Sequence, residues 1–246
     1  KYGKTAGFLL YQTQDGLNFR SVDNLLGQKP IKKYIFNDSA GPAAKGYDAK
    51  AVSYSQDRSV NLGNNLMLGV YNNRTLFFDP YNFEYLHKDF DITKQEGVKH
   101  SGFGEDDYNF IAPEFTKSPT RLMTSILDVG TLPSGKDAKA QLEAWTSDKQ
   151  QTNDKVMERM VQSVMRYNQL FSVVTSITIG GDFTLKAGDM ISLDVPLVSG
   201  NTDSIDKKRS GNYVIASLQH YITPETCRTR LGLIRDSYGK KLGKDT

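Results

Sequence analysis

The chain has 246 residues, with 31 Lys and Arg against 28 Asp and Glu, a formal net charge of +3 and one cysteine. This charge is too small to indicate nucleic acid as the main partner. One cysteine excludes an internal disulfide and a four-thiolate zinc site, and no apolar run reaches the roughly 20 residues of a membrane helix. The sequence starts at Lys1 without a methionine or a signal region, so we expect a further domain upstream.

The first 50 residues predict short strands joined by turns. Residues 8–13 predict a strand that turns at Asp15-Gly16, and residues 33–36 predict another strand. Between them, the spacing of Phe19, Val22 and Leu26 fits a short helix or a bent strand.

The next stretch mixes helix and strand patterns. Residues 56–68 have the spacing of an amphipathic helix, and residues 70–90 predict a hairpin that turns at 79–82. Residues 93–118 lack periodicity and predict a long loop on the surface or against a partner, and residues 120–129 predict a strand.

A helix followed by four strands is predicted for the rest of the chain. Residues 138–145 are a weak helix candidate and residues 153–171 a good one. Its apolar stripe, predicted to be core, is Val156, Met160, Val164, Tyr167 and Phe171. The period then changes to two over residues 173–179, 191–195, 213–222 and 229–234, which predicts a small antiparallel barrel or sandwich.

The strand at residues 213–222 is apolar on both faces. Tyr213 and Ile215 alternate with Val214 and Leu218, so both faces should be covered. The cover is a helix or a neighbouring protomer, or the strand is simply internal to one domain. We hold these alternatives equal.

The motifs of catalysis and metal binding are absent. His87, His100 and His220 lack the spacing of the helical zinc proteases, and no nucleophile elbow or phosphate loop occurs. The run Glu105-Asp106-Asp107 is typical of a solvated loop, and Cys227 is typical of a small buried residue. We expect a protein that is not an enzyme and has no cofactor.

Basic residues form three clusters, of which Lys240, Lys241 and Lys244 make up the tail, and nucleic-acid binding would need the clusters joined with stacking aromatics in one groove. Lys207-Lys208-Arg209 lies in a predicted loop, and Arg228 and Arg230 share one face of a predicted strand. A charged, solvated edge strand explains the two arginines equally well.

Several segments resemble baseplate hub proteins of T-even-like contractile-tailed phages. The first is Gly7-Phe-Leu-Leu-Tyr-Gln-Thr-Gln-Asp-Gly-Leu-Asn-Phe-Arg-Ser-Val-Asp-Asn-Leu25, followed by Tyr34-Ile-Phe36. Also similar are Leu68-Gly-Val-Tyr71 with Phe78-Asp79, the helix at 153–169, residues 175–179 and Leu185-Lys-Ala-Gly-Asp-Met-Ile191. The resemblance spans residues 7–238.

The resemblance implies a fold and a set of partners. It implies two tail-tube-like β domains per protomer and a homotrimer between the tail tube and the central spike, whose channel passes DNA without specific binding. The chain is shorter than such hub proteins, which leaves the number of its tube domains open.

We therefore predict an α+β, mainly β chain: an antiparallel tail-tube-like barrel or sandwich with one long helix and a smaller α+β insert domain. Residues 1–50 would end a first tube-like domain, 51–135 would form the insert, and 136–246 would form the helix and a second barrel.

The predicted function is that of a structural virion protein. Its partners would be its own copies, the tail tube protein, the central spike protein and other baseplate proteins, without a membrane or a metal, in a tail baseplate assembled in the host cytoplasm. The alternatives are a wedge subunit, a tube terminator or a tail-associated peptidoglycan hydrolase. The predicted interface lies in residues 97–119 and 201–210, and its residues are Asp203, Lys207, Lys208, Arg209, Tyr213, Arg228 and Arg230.

Overall fold

The computed structural model of the chain describes residues 6–36, 41–58, 62–80, 83–92, 114, 118–126, 156–197 and 205–236. These residues fall into two compact units. The barrel unit holds the described residues up to 58 and from 169 onward, and the sheet unit holds those from 62 to 168. The prediction of a mainly β chain is confirmed.

The strands in chain order are β1 Phe8–Thr13, β2 Gly16–Ser21, β3 Lys32–Phe36, β4 Ala49–Arg58, β5 Asn72–Asp79, β6 Glu84–Asp91, β7 Arg121–Ile126, β8 Val173–Gly180, β9 Met190–Asp194, β10 Gly211–Ile222 and β11 Cys227–Arg235. The helices are α1 Val22–Leu26, α2 Leu62–Met67 and α3 Val156–Leu170.

Six strands of the barrel unit close into a barrel in the order β10-β11-β8-β4-β3-β9. All neighbours are antiparallel except β3, which runs parallel to both β4 and β9. Antiparallel pairing is confirmed for the four strands for which it was predicted, β8 to β11, whereas β3 joins the same barrel in parallel. Residues 37–48 join β3 to β4, and a connection of about a dozen residues is what a parallel pair needs.

The side chains that alternate with a period of two along the strands fill the barrel interior. Ile177, Ile179, Leu231 and Leu233 are fully buried inside it, together with Tyr34 of β3. Burying such side chains contributes about 1.5–3 kcal/mol each, which makes this interior the main stabilising element of the unit.

Both faces of β10 are covered where it begins, as predicted. Tyr213 and Ile215 point into the barrel, whereas Val214 points outward. A second apolar cluster covers Val214, and its other members are Val22, Leu26, Leu170, Met190 and Ile234. The outer cover thus comes from α1, from the end of α3 and from strands of the same chain.

The barrel groups the residues differently from the predicted domain boundaries. β3 and most of β4 close the gap between β9 and β8, so β3 and β4 share one barrel with β8 to β11. Barrel closure explains this grouping. Without β3 and β4, one edge of β8 and one edge of β9 would have no partner strand. The insert domain and the extra tube domain stay predictions.

The sheet unit contains a three-stranded sheet in the order β6-β5-β7. The predicted hairpin is confirmed as β5 and β6, and β7 runs parallel to β5. Asn73 is buried and donates hydrogen bonds to the carbonyl oxygens of Gly69 (2.9 Å) and Val161 (3.3 Å), which ties β5 to α3.

Two helix predictions need correction. Residues 56–58 belong to β4, where Gln56 lies opposite Thr175 of β8, so sheet pairing overrides the helical spacing. In α3 the predicted core stripe is turned outward: Met160 is 38% and Tyr167 42% exposed, whereas Met165 is 0% exposed. Apolar residues occur on two sides of this helix, and the side with Val161 and Met165 is the one that packs.

Candidate assembly surfaces

The predicted basic loop is an ordered turn built around Asp206. Its Oδ1 accepts hydrogen bonds from the backbone N–H groups of Lys208 (2.8 Å) and Arg209 (3.3 Å), and its own N–H donates to the carbonyl oxygen of Val195 (2.8 Å). The Arg209 guanidinium lies 3.5 Å from the same carboxylate. The turn therefore has a fixed backbone from which the exposed side chains of Lys207 and Lys208 project.

The buried side chain of Arg235 stabilises this turn. Its side chain is 1% exposed and donates hydrogen bonds to the carbonyl oxygens of Ser210 and Lys208, both at 2.8 Å. Its guanidinium carbon lies 4.7 Å from the centre of the Tyr213 ring, and the Tyr213 hydroxyl donates to the carbonyl oxygen of Arg209 (2.6 Å). A buried guanidinium with carbonyl acceptors and an aromatic face stabilises the loop.

Sequence reasoning missed Arg235, although a signal was present. Thr229, Leu231 and Leu233 alternate on the inner face of β11, and Arg235 is the next residue in that series. A guanidinium at the end of an apolar face indicates a bond to nearby carbonyls. Gly211 confirms the tight fit, because a Cβ there would lie 2.8 Å from Arg235 Nη1.

The predicted interface residues separate into two groups. Lys207, Lys208, Arg209 and Tyr213 come together around the turn, and Asp203 lies outside the described residues. Arg228 and Arg230 point outward from the other end of β11, with Arg228 about 23 Å along the strand from Arg235.

Arg228 and Arg230 share an exposed face, as predicted, but not for the reason of edge protection. β11 lies between β10 and β8, so it is not an edge strand. Arg230 Nε donates to the hydroxyl of Ser176 on β8 (3.0 Å). Cys227 begins this strand and is exposed, so the prediction of a buried cysteine is wrong. It lies opposite Ile222 at the end of the hairpin, beyond the barrel core.

The far half of β10 has an open edge. β9 pairs only with Gly211–Val214, and the last bonds on that side join Ile215 to Gly188 and Asp189 (2.8 Å each). Among the described residues, positions 216–222 pair with β11 alone. This edge contains no charged residue and no proline, the usual protections of an edge strand. Tyr221 is 46% and Ile222 69% exposed beside it.

The β1–β2 hairpin docks on the barrel by one face. Tyr11 lies over Gly188, where a Cβ would be 2.2 Å from the tyrosine hydroxyl and where φ is +88°. The carboxylate of Asp15 in the turn is paired with the ammonium of Lys186, and Leu9 packs against the outer apolar cluster. These contacts fix the position of the hairpin.

The opposite face of the hairpin is apolar and exposed. Leu10 lies across from Phe19 in the pairing register, and the exposed fractions of Leu10, Leu17 and Phe19 are 69%, 75% and 62%. Phe8 stacks on Phe19 at 5.3 Å. Among the described residues, β1 and β2 pair only with each other.

The sheet unit has an apolar surface of its own. Tyr85 is 65% exposed and packs against Phe78 at 4.9 Å, and Ile126 lies opposite Phe78 on the neighbouring strand. Nothing in the described residues indicates what covers this surface.

Ion pairs hold β3 in the barrel. The Lys32 ammonium pairs with the Asp182 carboxylate, which also accepts from the Thr184 N–H (3.0 Å) and hydroxyl (2.7 Å). Burial would raise the pKa of Asp182, but hydrogen bonds from Lys32 and Thr184 outweigh it and lower the pKa to about 2. Burial and the nearby Asp182 charge raise the pKa of Tyr34 above its ordinary value.

A second group joins β3 to β9. Asp194 accepts from the Tyr47 hydroxyl (2.8 Å) and pairs with the Lys33 ammonium (3.0 Å), which lies 4.6 Å from the centre of the Tyr47 ring. The hydrogen bond with Asp194 raises the pKa of Lys33, and burial followed by the Asp194 bond raises the pKa of Tyr47. Each charge in these groups has a local partner, which is an arrangement that stabilises strand pairing.

The other candidate residues do not converge. Within the described ranges, no three His, Cys, Asp or Glu side chains lie close enough together to hold a metal. His220 Nδ1 lies 2.9 Å from the hydroxyl of Thr229, whereas His100 and residues 105–107 are outside the described part of the chain. None of the helices found in the described part is long and apolar enough to cross a membrane.

Comparison with known proteins gives weak structural likeness only. No family model and no curated protein matches the chain. It is similar to a tail protein from Neisseria meningitidis MC58 (9% identity, TM-score 0.42) and to the 43 kDa tail protein of prophage MuSo2 from Shewanella oneidensis (11% identity, TM-score 0.34). These alignments cover 94% of this chain but 52% and 48% of the solved chains, so the chain spans about half of their length. Likeness this low assigns neither a fold nor a function.

Proposed function

We propose that the chain is a structural protein of a phage tail, a baseplate hub subunit that forms a homotrimeric adaptor between the tail tube and the central spike. One observation carries this proposal: segments that resemble hub proteins, although far apart in sequence, lie against each other. Tyr11 of the first segment packs on Gly188 of the last, and β3, which contains Tyr34-Ile-Phe36, pairs with β9 from Lys32 opposite Ile191 onward. Gln28 Nε2 adds a hydrogen bond to the Gly188 carbonyl oxygen (2.9 Å).

The motif residues have structural roles that depend on one another. Ser21 caps α1 by accepting a hydrogen bond from the Asn24 N–H (3.2 Å), and Val22 and Leu25 are buried. The pattern Phe-x-Ser-hydrophobic-Asp-x-Leu thus describes a strand that passes into a capped helix. Gly188 and Asp189 form the turn that receives the hairpin, since Asp189 accepts from the Lys186 N–H (2.9 Å). This interdependence supports a shared architecture.

In this role the barrel bears load and presents edges to its neighbours. A closed barrel resists shear because its strands are bonded on both sides, and the open part of β10 offers backbone groups to another chain. The proposed partners are the tail tube protein, the central spike protein and other baseplate proteins, in a baseplate assembled in the host cytoplasm. We propose no catalytic step, and DNA would pass through the ring without specific binding.

The number of copies tests the proposal. Native mass spectrometry of the chain, with sedimentation as a check, should give three copies, and class averages along the particle axis should show threefold symmetry. A stable monomer or a six-copy ring would contradict the hub, the latter in favour of a tube terminator. Turnover of peptidoglycan by the purified chain would contradict the non-catalytic role.

A further inference from the structure

We propose that the β1–β2 hairpin of one copy pairs with the open edge of β10, residues 216–222, in the next copy. The inference rests on the proposed function for the existence of an assembly of copies. It goes beyond that function in naming the two surfaces that join them.

Each surface is incomplete in a single copy. A sheet of two strands is marginally stable, and the hairpin also exposes Leu10, Leu17 and Phe19. On the other side, β10 leaves the backbone groups of residues 216–222 without a strand partner among the described residues. Adding the hairpin to this edge extends a two-stranded sheet into the barrel wall and satisfies both needs.

The two surfaces match in length and in chemistry. β2 has six residues, and the open edge spans seven positions. The edge carries no charge, and Arg20 is the one charged residue of β2, so pairing brings no like charges together. Tyr221 and Ile222 can pack beside Leu17 and Phe19, which are the aromatic and aliphatic cross-strand pairs that stabilise sheets.

A second copy is the occupant that leaves neither surface exposed. Each copy carries one hairpin and one open edge, so a head-to-tail contact uses both in equal number. The hairpin is held on its own barrel through Tyr11 and Asp15, and no strand pairing joins it to β10 of its own copy within the described residues. A contact between two different surfaces closes into a ring when the rotation permits, and three copies are such a ring.

Two lysine substitutions test the contact. Tyr221→Lys places a charge at the open edge, and Phe19→Lys places one on the hairpin face. Each should weaken assembly at least tenfold and give monomers at concentrations where the unchanged chain assembles. Tyr85→Lys is the matched control: it makes the same change as Tyr221→Lys at an exposed residue of the sheet unit and should leave the mass unchanged.

Mixing the two variants distinguishes a head-to-tail contact from a symmetric one. One variant keeps a working hairpin and the other a working edge, so an equimolar mixture should give particles of two copies and no rings. Far-UV circular dichroism should match the unchanged chain, which shows that the variants are folded. Persistence of three copies in both variants would overturn the hairpin contact and leave the proposed function intact.

Crosslinking gives a readout that does not depend on a loss of assembly. In a Cys227→Ser chain, which has no other cysteine, Leu17→Cys and Gln219→Cys together should form disulfide-linked multimers under mild oxidation. Leu17→Cys alone should give no ladder. A chain that assembles into three copies without forming the ladder at this pair, or at neighbouring registers, would contradict the contact. A chain that does not assemble at all would contradict the proposed function.

Discussion

Asp182 shows how one side chain stabilises the closure of the barrel. It receives hydrogen bonds from Lys32 of β3 and from Thr184, and only 18% of its side chain is exposed. Its pKa of about 2 lies below the ordinary value of 3.8, so its stabilising effect is complete above about pH 4 and is lost as the pH falls through 2.

We predict that Asp182→Asn lowers the free energy of unfolding at pH 7 by about 2 kcal/mol, since it removes hydrogen bonds to a charged group. The difference from the unchanged chain should shrink from pH 4 to pH 2. Urea unfolding at pH 7, 4 and 2.5 measures both effects. Asp89→Asn is the control, because the Arg74–Asp89 pair is almost half exposed and should contribute only weakly to the free energy of unfolding, even with its two hydrogen bonds. A constant difference across this pH range would contradict the role of the Asp182 charge.

Residue-level reasoning from sequence succeeded where alternation was regular. The outward face of Arg228 and Arg230 could be predicted because β11 alternates without interruption. Burial of Arg235 follows from the same alternation, whereas exposure of Cys227 could not be predicted, since it depends on where the strand ends relative to the barrel. That position is set by partners elsewhere in the chain.

At the scale of elements, the hairpin is positioned by the absence of one side chain. Gly188 has φ +88°, and its Cα faces Tyr11 so closely that a Cβ would overlap two ring carbons and the hydroxyl oxygen. The turn at residues 186–189 therefore forms the surface on which the hairpin docks.

Gly188→Ala should destabilise the docked hairpin by about 1–3 kcal/mol, from backbone strain and steric overlap. Hydrogen exchange should become faster in β1 and β2, whereas β8 and β11 should keep their protection. Gly180→Ala is the control, because nothing lies within 4 Å of its Cβ position. Unchanged hydrogen exchange in β1 and β2 would show that the docking of the hairpin does not depend on the contact between Tyr11 and Gly188.

The strands themselves were easier to predict than the strands with which they pair. Alternation predicts β8, which buries every second side chain, and apolar runs bounded by turn signals predict β1 and β3. The parallel direction of β3 had no local signal, because it is set by a crossover and by pairing with β9. The buried side of α3 was also missed, as apolar residues on two sides make periodicity ambiguous.

For the whole molecule, the barrel is a joint product of both ends of the described chain. β3 and β4 precede the sheet unit, and β8 to β11 follow it. A barrel built only from residues 136–246 would have two unpaired edges in place of a closed wall.

A chain of residues 136–246 should therefore fail to give a cooperative unfolding transition. Adding residues 1–60 as a separate chain should restore the transition, because it supplies β3 and β4. Near-UV circular dichroism and thermal melting of the two fragments, alone and mixed, provide the measurement. Cooperative melting of the shorter chain alone would support the predicted boundary at residue 136 instead.

The parallel pairing of β3 with β9 also governs when the protein can fold. Lys32 and Ile191 are 159 positions apart, so β3 leaves the ribosome long before its partner is synthesised. At about 5–20 residues per second, the wait is of the order of ten seconds or more. During this interval the early strands have no barrel to join, and their backbone groups stay open to pairing with other chains.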